Sequence, residues 1–244
     1  YIHRMIGRLI GLIFIIPFIF FVIKKWIQKE DLPKYFFILF LGSVQAGLGW
    51  YMVQSGLIDK PQVSHLRLAL HLIIALILSA YIWWMVLDLN YRTIGNKIIN
   101  KLSYLFLILL IIQLTYGAFT AGLRAGHYTD PQNYLNTIFG YFNTKGMRNL
   151  DFLNNPYNVQ FLHRTLAWIL SIFALYIWNK TRKTELHKAG NLFLFIVMLQ
   201  ITLGILTLVT GIQKHLAITH QFVASILMFI VIYLIHQSQP NEKI

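Results

Sequence analysis

The sequence predicts an all-α integral membrane protein with seven transmembrane helices. Hydrophobic residues make up 57% of the 244 residues, charged residues only 12%, and the mean hydropathy is +0.60. These values lie far from those of soluble domains. Seven apolar stretches of about 20 residues are each long enough to cross a bilayer. The net charge of +13 does not indicate nucleic acid, because the basic residues lie in short loops between the apolar stretches.

The apolar spans follow one another with short polar loops between them, with one exception. The exception is the loop 122–157, which is rich in Asn, Tyr and Gly and is predicted to be an ordered external lid. The predicted spans are 2–23, 35–55, 64–87, 102–121, 159–178, 192–210 and 216–236.

The distribution of lysine and arginine predicts how the chain is oriented. The loops after the first, third, fifth and seventh spans carry twelve of these residues, and the opposite side carries six. Basic loops face the cytoplasm, or the matrix in an organelle. The long loop and the beginnings of the third, fifth and seventh spans are therefore expected on the outer side.

Four histidines lie about two turns inside the beginning of an apolar helix, namely His3, His71, His163 and His220, whereas His65 and His236 lie at span ends. The last three lie six or seven residues after Ser64, Tyr157 and Lys214, at the beginnings of their helices, which at about 1.5 Å per residue is roughly 10 Å below the outer rim. A lone intramembrane histidine is most simply a hydrogen-bonding residue, but four at matched depth favour a shared role. Imidazole is a common metal ligand, and haem iron takes axial ligands from facing helices. The sequence therefore predicts two haem sites, each held by a histidine pair.

An internal repeat relates the two halves of the chain. The pattern Gln-x3-Gly-x6-Gly begins at Gln45 and again at Gln200. The pattern His-x3-Ala begins at His71 and again at His220. The fourth span repeats Gln-x3-Gly from Gln113 and opens the second half. The glutamines themselves are most simply explained as interhelical hydrogen-bonding residues.

The repeat predicts two pseudo-symmetric four-helix bundles. By symmetry, one more helix is expected before Tyr1, which would give eight helices in the intact protein. The predicted divisions are an N-terminal bundle over 1–90, a linker on the cytoplasmic or matrix side over 91–101, and a C-terminal bundle over 102–244. The N-terminal bundle would hold one haem site and the C-terminal bundle the other.

The small and basic residues near the histidines can each be interpreted in two ways. Gly47, Gly49 and Gly204 let helix backbones or a flat macrocycle approach closely, and plain helix packing is the commoner explanation. Arg4 and Arg164 directly follow a histidine. They could pair with haem propionates near the outer rim, or extend to the membrane interface.

Several motifs match one known family, in order, over nearly the whole chain. They are Ile2-His3-Arg4, Gln45-Ala46-x-x-Gly49-Trp50, Arg67-Leu68-Ala69-x-His71, Ala121-Gly122-Leu123-x-Ala125-Gly126, Val159-Gln160-Phe161-x-His163-Arg164 and Leu216-Ala217-x-x-His220-Gln221. At these residues the chain resembles the haem A synthases of bacterial membranes and of the mitochondrial inner membrane. The overall pattern is closer to the mitochondrial and proteobacterial branch.

The resemblance implies an oxidoreductase that converts the C8 methyl of haem O into the formyl group of haem A by successive hydroxylations. It implies a haem b cofactor, with its iron between His163 and His220. It implies a substrate haem between His3 and His71. The family's functional glutamate lies three residues before the first histidine. That position would precede Tyr1, so no catalytic residue is assigned.

The resemblance also implies the surroundings and partners of the protein. The expected location is the bilayer of the bacterial cytoplasmic membrane or the mitochondrial inner membrane. Expected partners are haem O, haem O synthase or cytochrome oxidase assembly factors, and a second copy of the chain. The electron acceptor is left open, with quinone as one candidate.

Two alternatives use the same histidine pairs. One is a bis-His b-type cytochrome that exchanges electrons with quinone, and the other is a haem carrier or assembly protein without redox turnover. A proton-coupled transporter is disfavoured, because no carboxylate lies at the centre of a span.

Overall fold

The computed structural model describes residues 2–54, 63–128 and 151–240, and all the regular structure in these segments is helical. Seven long helices are each long and apolar enough to cross a membrane, which confirms the predicted all-α membrane class. A 3-10 turn follows the fourth helix. Most of the predicted lid lies outside the described residues. The helices are α1 (Ile2–Ile23), α2 (Leu32–Gln54), α3 (His65–Asn90), α4 (Lys97–Gly122), α5 (Pro156–Thr181), α6 (His187–Val209) and α7 (Lys214–Gln237), and the 3-10 turn is Ala125–Tyr128.

Several helices extend beyond the apolar spans because polar residues cap their ends. The helix α4 begins at Lys97, ahead of the predicted span, and the side chain of Asn96 accepts the backbone N–H of Ile99 at 3.1 Å. The helix α5 begins at Pro156, a residue suited to the first turn. Asn155 caps it by accepting a backbone N–H at 2.9 Å. Hydropathy detects only the apolar part of each helix, so the predicted spans were too short at these ends.

The last four helices close into a bundle in which each helix packs on two neighbours. The helix α4 packs on α5, α5 on α6, α6 on α7, and α7 back on α4. In the core, the rings of Phe106 from α4 and Phe193 from α6 meet edge to face, with centroids 4.9 Å apart. The helix α7 is the most buried of the seven, and it packs on α3 as well as on α4 and α6.

The first three helices pack against this bundle chiefly through α3. The helix α2 packs on α3, and α1 on α2, while α3 contacts both α4 and α7. Trp83 of α3 donates its indole N–H to the carbonyl oxygen of Phe229 at 3.0 Å. The division of the chain at 1–90, 91–101 and 102–244 stays a prediction.

The segment between α3 and α4 is fastened to the end of α7. The backbone N–H groups of Ile94 and Gly95 donate to the carbonyl oxygen of Gln237 at 2.8 and 3.2 Å. Nearby, the ring of His236 is buried, and its Nε2 lies 2.9 Å from Oδ1 of Asp88. These contacts join the end of α3 and the segment after it to the last turn of α7. They lie at the end of the molecule opposite to His71, His163 and His220.

Candidate functional site

Three of the four candidate histidines lie at the same depth, in helices that run in the same direction. His71 and His220 lie six residues after the first residues of α3 and α7, and His163 lies seven after the first residue of α5. At about 1.5 Å per residue, each is roughly 10 Å from the beginning of its helix. His3 lies near the described beginning of α1. The end of the molecule at which α1, α3, α5 and α7 begin is called the histidine end below.

The two histidines of the first half face each other. The ring centroids of His3 and His71 are 6.5 Å apart, and the ring planes are nearly perpendicular at 81°. Metal–imidazole bonds of about 2 Å on both sides of one ion would place the ring centres roughly 6 Å apart. The separation therefore suits two imidazoles that share one metal ion.

His71 packs against a glycine of the neighbouring helix. A Cβ atom added at Gly49 would lie 3.2 Å from Cε1 of the His71 ring, whereas a Cβ added at Gly47 would have nothing within 4 Å. The ring thus lies so close to Gly49 that an alanine there would require it to move by a few tenths of an ångström. The sequence grouped these two glycines, but only one of them contacts the histidine.

The second half repeats this arrangement at both of its histidines. A Cβ added at Gly117 would lie 3.2 Å from Cε1 of His163, and one added at Gly204 would lie 3.0 Å from Cε1 of His220. Three imidazoles in two half-molecules therefore pack edge-on against glycines of the Gln-x3-Gly pattern, and we call these three positions the glycine seats.

The sequence predicted interhelical hydrogen bonds for all three glutamines of this pattern, and the structure shows them for two. Nε2 of Gln45 lies 3.2 Å from Nε2 of His71, and Nε2 of Gln200 lies 3.3 Å from Nε2 of His220. An amide nitrogen only donates, so these contacts are hydrogen bonds when each ring is the tautomer that carries its lone pair on Nε2. That lone pair is what a metal ion requires. For Gln113, the buried side-chain oxygen has no hydrogen-bond partner among the described residues.

At all three glycine seats, the Nδ1 nitrogen of the imidazole has no hydrogen-bond partner among the described residues. Nδ1 of His71, His163 and His220 is buried and accepts or donates no hydrogen bond within the described part of the chain. Buried polar atoms of this kind are uncommon and call for an explanation. Their repetition at equivalent positions in both halves marks a built feature of the fold.

The residues present fit a haem better than a bare metal ion. Among the described residues, no group of three or more His, Cys, Asp or Glu side chains converges on one point. A haem needs only two axial ligands from the protein, because the macrocycle supplies the in-plane ligands. His3 and His71 provide that number, and the predicted pairing of His163 with His220 would provide it in the second half.

The two arginines that follow histidines differ in their surroundings. Arg164 on α5 is partly buried beside His163, whereas Arg4 on α1 is exposed. Both lie toward the histidine end of the molecule.

The beginning of α5 is fixed by a polar turn outside the membrane span. The carboxylate of Asp151 accepts backbone N–H groups of Leu153 and Asn154 at 3.0 and 2.8 Å. These bonds, led by the one from the Asn154 backbone, hold the pKa of the Asp151 carboxyl below its usual value. The side chain of Asn158 donates to the carbonyl oxygen of Asp151 at 3.1 Å, which ties the turn to the helix that carries His163.

Comparison with known proteins agrees with the resemblance seen in the sequence. The model of the COX15-CtaA family, described as cytochrome oxidase assembly protein, matches residues 1–232. A protein of Flavobacterium psychrophilum named heme A synthase is 41% identical, over 96% of this chain and 72% of its own length. A protein of the same name from Ehrlichia ruminantium (strain Gardel) is 38% identical, over 97% of this chain and 69% of its own length. No solved structure gives a significant match. The chain therefore belongs to the COX15-CtaA family of cytochrome oxidase assembly proteins.

Proposed function

We propose that this protein is a haem A synthase, an oxidoreductase that converts the C8 methyl of haem O into a formyl group with a haem b cofactor. The relatives that it resembles over nearly its whole length carry that name. The observation that carries the proposal is the set of histidines on glycine seats at one depth of two related half-molecules. Two equivalent sites suit a protein that holds one haem permanently and turns over another.

The second half is proposed to hold the cofactor. His163 and His220 would be the axial ligands of the haem b iron, with each ring backed by a glycine seat. The bundle around them is closed by four helices and provides a low-dielectric surrounding for the cofactor. The bound haem supplies the redox chemistry, and the protein orients the haem and excludes water.

The first half is proposed to hold the substrate. His3 and His71 face each other at a distance that suits one shared iron. Arg4 and Arg164 would bind the propionates of the substrate and cofactor haems, respectively, because each is the sequence neighbour of a proposed axial histidine near the histidine end. A guanidinium group donates two parallel hydrogen bonds to one carboxylate, which makes it suited to this task.

The protein is proposed to lie in the bacterial cytoplasmic membrane or the mitochondrial inner membrane, with the histidine end outward. The distribution of lysine and arginine between the two sets of loops supports this orientation. Haem O is the proposed substrate. A quinone as electron acceptor, haem O synthase or oxidase assembly factors as neighbours, and a second copy of the chain are proposed partners.

Pigment analysis of the purified protein tests the proposed function. We expect haem b as a stable component, and haem A or a hydroxylated haem O after haem O is supplied with an electron acceptor. The alternative of a bis-His cytochrome, or of a haem carrier, predicts unaltered haem only. A preparation that binds haem O but never changes it would therefore refute the synthase and leave haem binding in place.

A further inference from the structure

Arg67 lies one helical turn from His71, on the same face of α3 and toward the histidine end. Four residues separate them, which corresponds to about 6 Å along the helix. Helical side chains also tilt toward the beginning of their helix, so the guanidinium extends further toward the histidine end. The helix geometry therefore places a permanent positive charge about one turn nearer the histidine end than the imidazole proposed to bind the substrate iron.

The guanidinium of Arg67 is held in one orientation by α2. Its Nη1 donates to the carbonyl oxygen of Tyr51 at 3.0 Å, and its central carbon lies 3.8 Å from the centroid of the Tyr51 ring. The contact combines a hydrogen bond with cation–π stacking. Gly49, on the same helix as Tyr51, contacts His71. The Gly49–His71 contact and the Arg67–Tyr51 contact therefore lie next to each other along the interface between α2 and α3.

The Arg67–Tyr51 pair leaves hydrogen-bonding capacity that a ligand can use. A guanidinium group has five N–H donors, and the bond to Tyr51 uses one of them. Among the described residues, Arg67 forms no ion pair with an acidic side chain. A charged group that is partly withdrawn from water and stacked in place is suited to an anionic partner.

The second half replaces both members of this pair with leucine. Aligning Gln45 with Gln200 places Leu206 at the position of Tyr51, and aligning His71 with His220 places Leu216 at the position of Arg67. The glycine seats and histidines are repeated in the two halves, but the stacked guanidinium is not. The first half therefore has a stacked guanidinium at a position where the second half has only apolar side chains.

We propose that Arg67, oriented by Tyr51, binds a carboxylate of the tetrapyrrole held between His3 and His71, and acts as a positioning residue for the reaction. The inference rests on the proposed function. A macrocycle held only along its iron axis can rotate about that axis. An anchored carboxylate stops the rotation and brings one peripheral carbon, and not its equivalents, to the reacting position.

The test compares free and esterified propionates in the full chain, purified in detergent with its permanent haem. Ferric haem b and its dimethyl ester are titrated into the protein, and uptake of a second haem is followed by absorbance. The wild-type protein is expected to bind haem b about 10- to 100-fold more tightly than the ester, as charge-assisted hydrogen bonds imply. Arg67→Leu is expected to lose about a factor of 10 of this preference, and the part that Arg4 contributes should remain.

Three further variants separate the anchor from folding and from charge in general. Tyr51→Leu and Arg67→Lys each keep one member of the pair, so both should retain a reduced preference for the free acid. Arg92→Leu removes a positive charge from the opposite end of the molecule and should keep the wild-type preference. An unchanged permanent haem spectrum verifies that each variant is folded.

Two outcomes overturn different parts of the account. If Arg67→Leu and Tyr51→Leu are folded and keep the full wild-type preference for the free acid, Arg67 is not the anchor. If the wild-type protein takes up no second haem in either form, the proposed substrate site itself fails.

Discussion

Replacing Gly204 with alanine should weaken the binding of the haem that we propose between His163 and His220. At an open helical position, glycine to alanine stabilises a protein by about 0.5–1 kcal/mol. At Gly204 the added Cβ would lie 3.0 Å from Cε1 and 3.6 Å from Nδ1 of His220, so the ring or the helix must move. Such overpacking costs about 1–3 kcal/mol, which exceeds the gain.

The cost should appear in haem affinity, because a ring bonded to iron cannot move without straining that bond. A loss of about 1–3 kcal/mol corresponds to roughly 5- to 150-fold weaker binding. The assay is the rate at which haem leaves the purified variant for an excess of a haem-free acceptor protein. Gly117→Ala should behave in the same way, since its Cβ would meet His163 at 3.2 Å.

Gly47→Ala is the matched control, because a Cβ at Gly47 would have no neighbour within 4 Å. This variant should keep the wild-type rate of haem loss and gain slightly in thermal stability. The reasoning would be refuted if Gly204→Ala released haem no faster than Gly47→Ala.

Three further outcomes are expected. His163→Ala should remove the permanent haem spectrum, whereas His71→Ala should retain it and abolish conversion of haem O; identical spectra would contradict this division. Gln200→Leu removes the hydrogen bond from the Gln200 amide that occupies Nε2 of His220. Haem titration should therefore show about fivefold tighter binding, and weaker binding would count against His220 as a haem ligand through Nε2. Because the pKa of Asp151 is lowered in the folded protein, its ionised carboxylate stabilises the fold above the ordinary value of 3.8, and this stabilisation is lost as the pH falls below that value. The melting-temperature difference between wild type and Asp151→Asn should therefore shrink at low pH, and a constant difference would exclude the effect.

Hydropathy was sufficient to predict the helices, because each crosses an apolar slab of fixed thickness. It also predicted the depth of His71, His163 and His220, since depth depends only on counting residues along a helix. The extra turn of α4 was missed, because a cap such as Asn96 continues a helix through residues that hydropathy scores as loop.

Rotation of each helix about its own axis could not be predicted, and the details of the site depend on it. Gly47 and Gly49 are two residues apart and therefore point in nearly opposite directions, yet both fit the same pattern of small residues. Which glycine receives the His71 ring is decided by how α2 packs on α3. The contacts of His236 with Asp88 and of Arg67 with Tyr51 depend on helix packing in the same way.

Electron paramagnetic resonance of the oxidised protein tests the central claim most directly. If His163 and His220 bind one iron from opposite sides, the purified protein should give a low-spin bis-imidazole signal. The signal should be lost in both His163→Met and His220→Met and kept in Gly47→Ala. A bis-imidazole signal that survives both methionine substitutions would contradict the account.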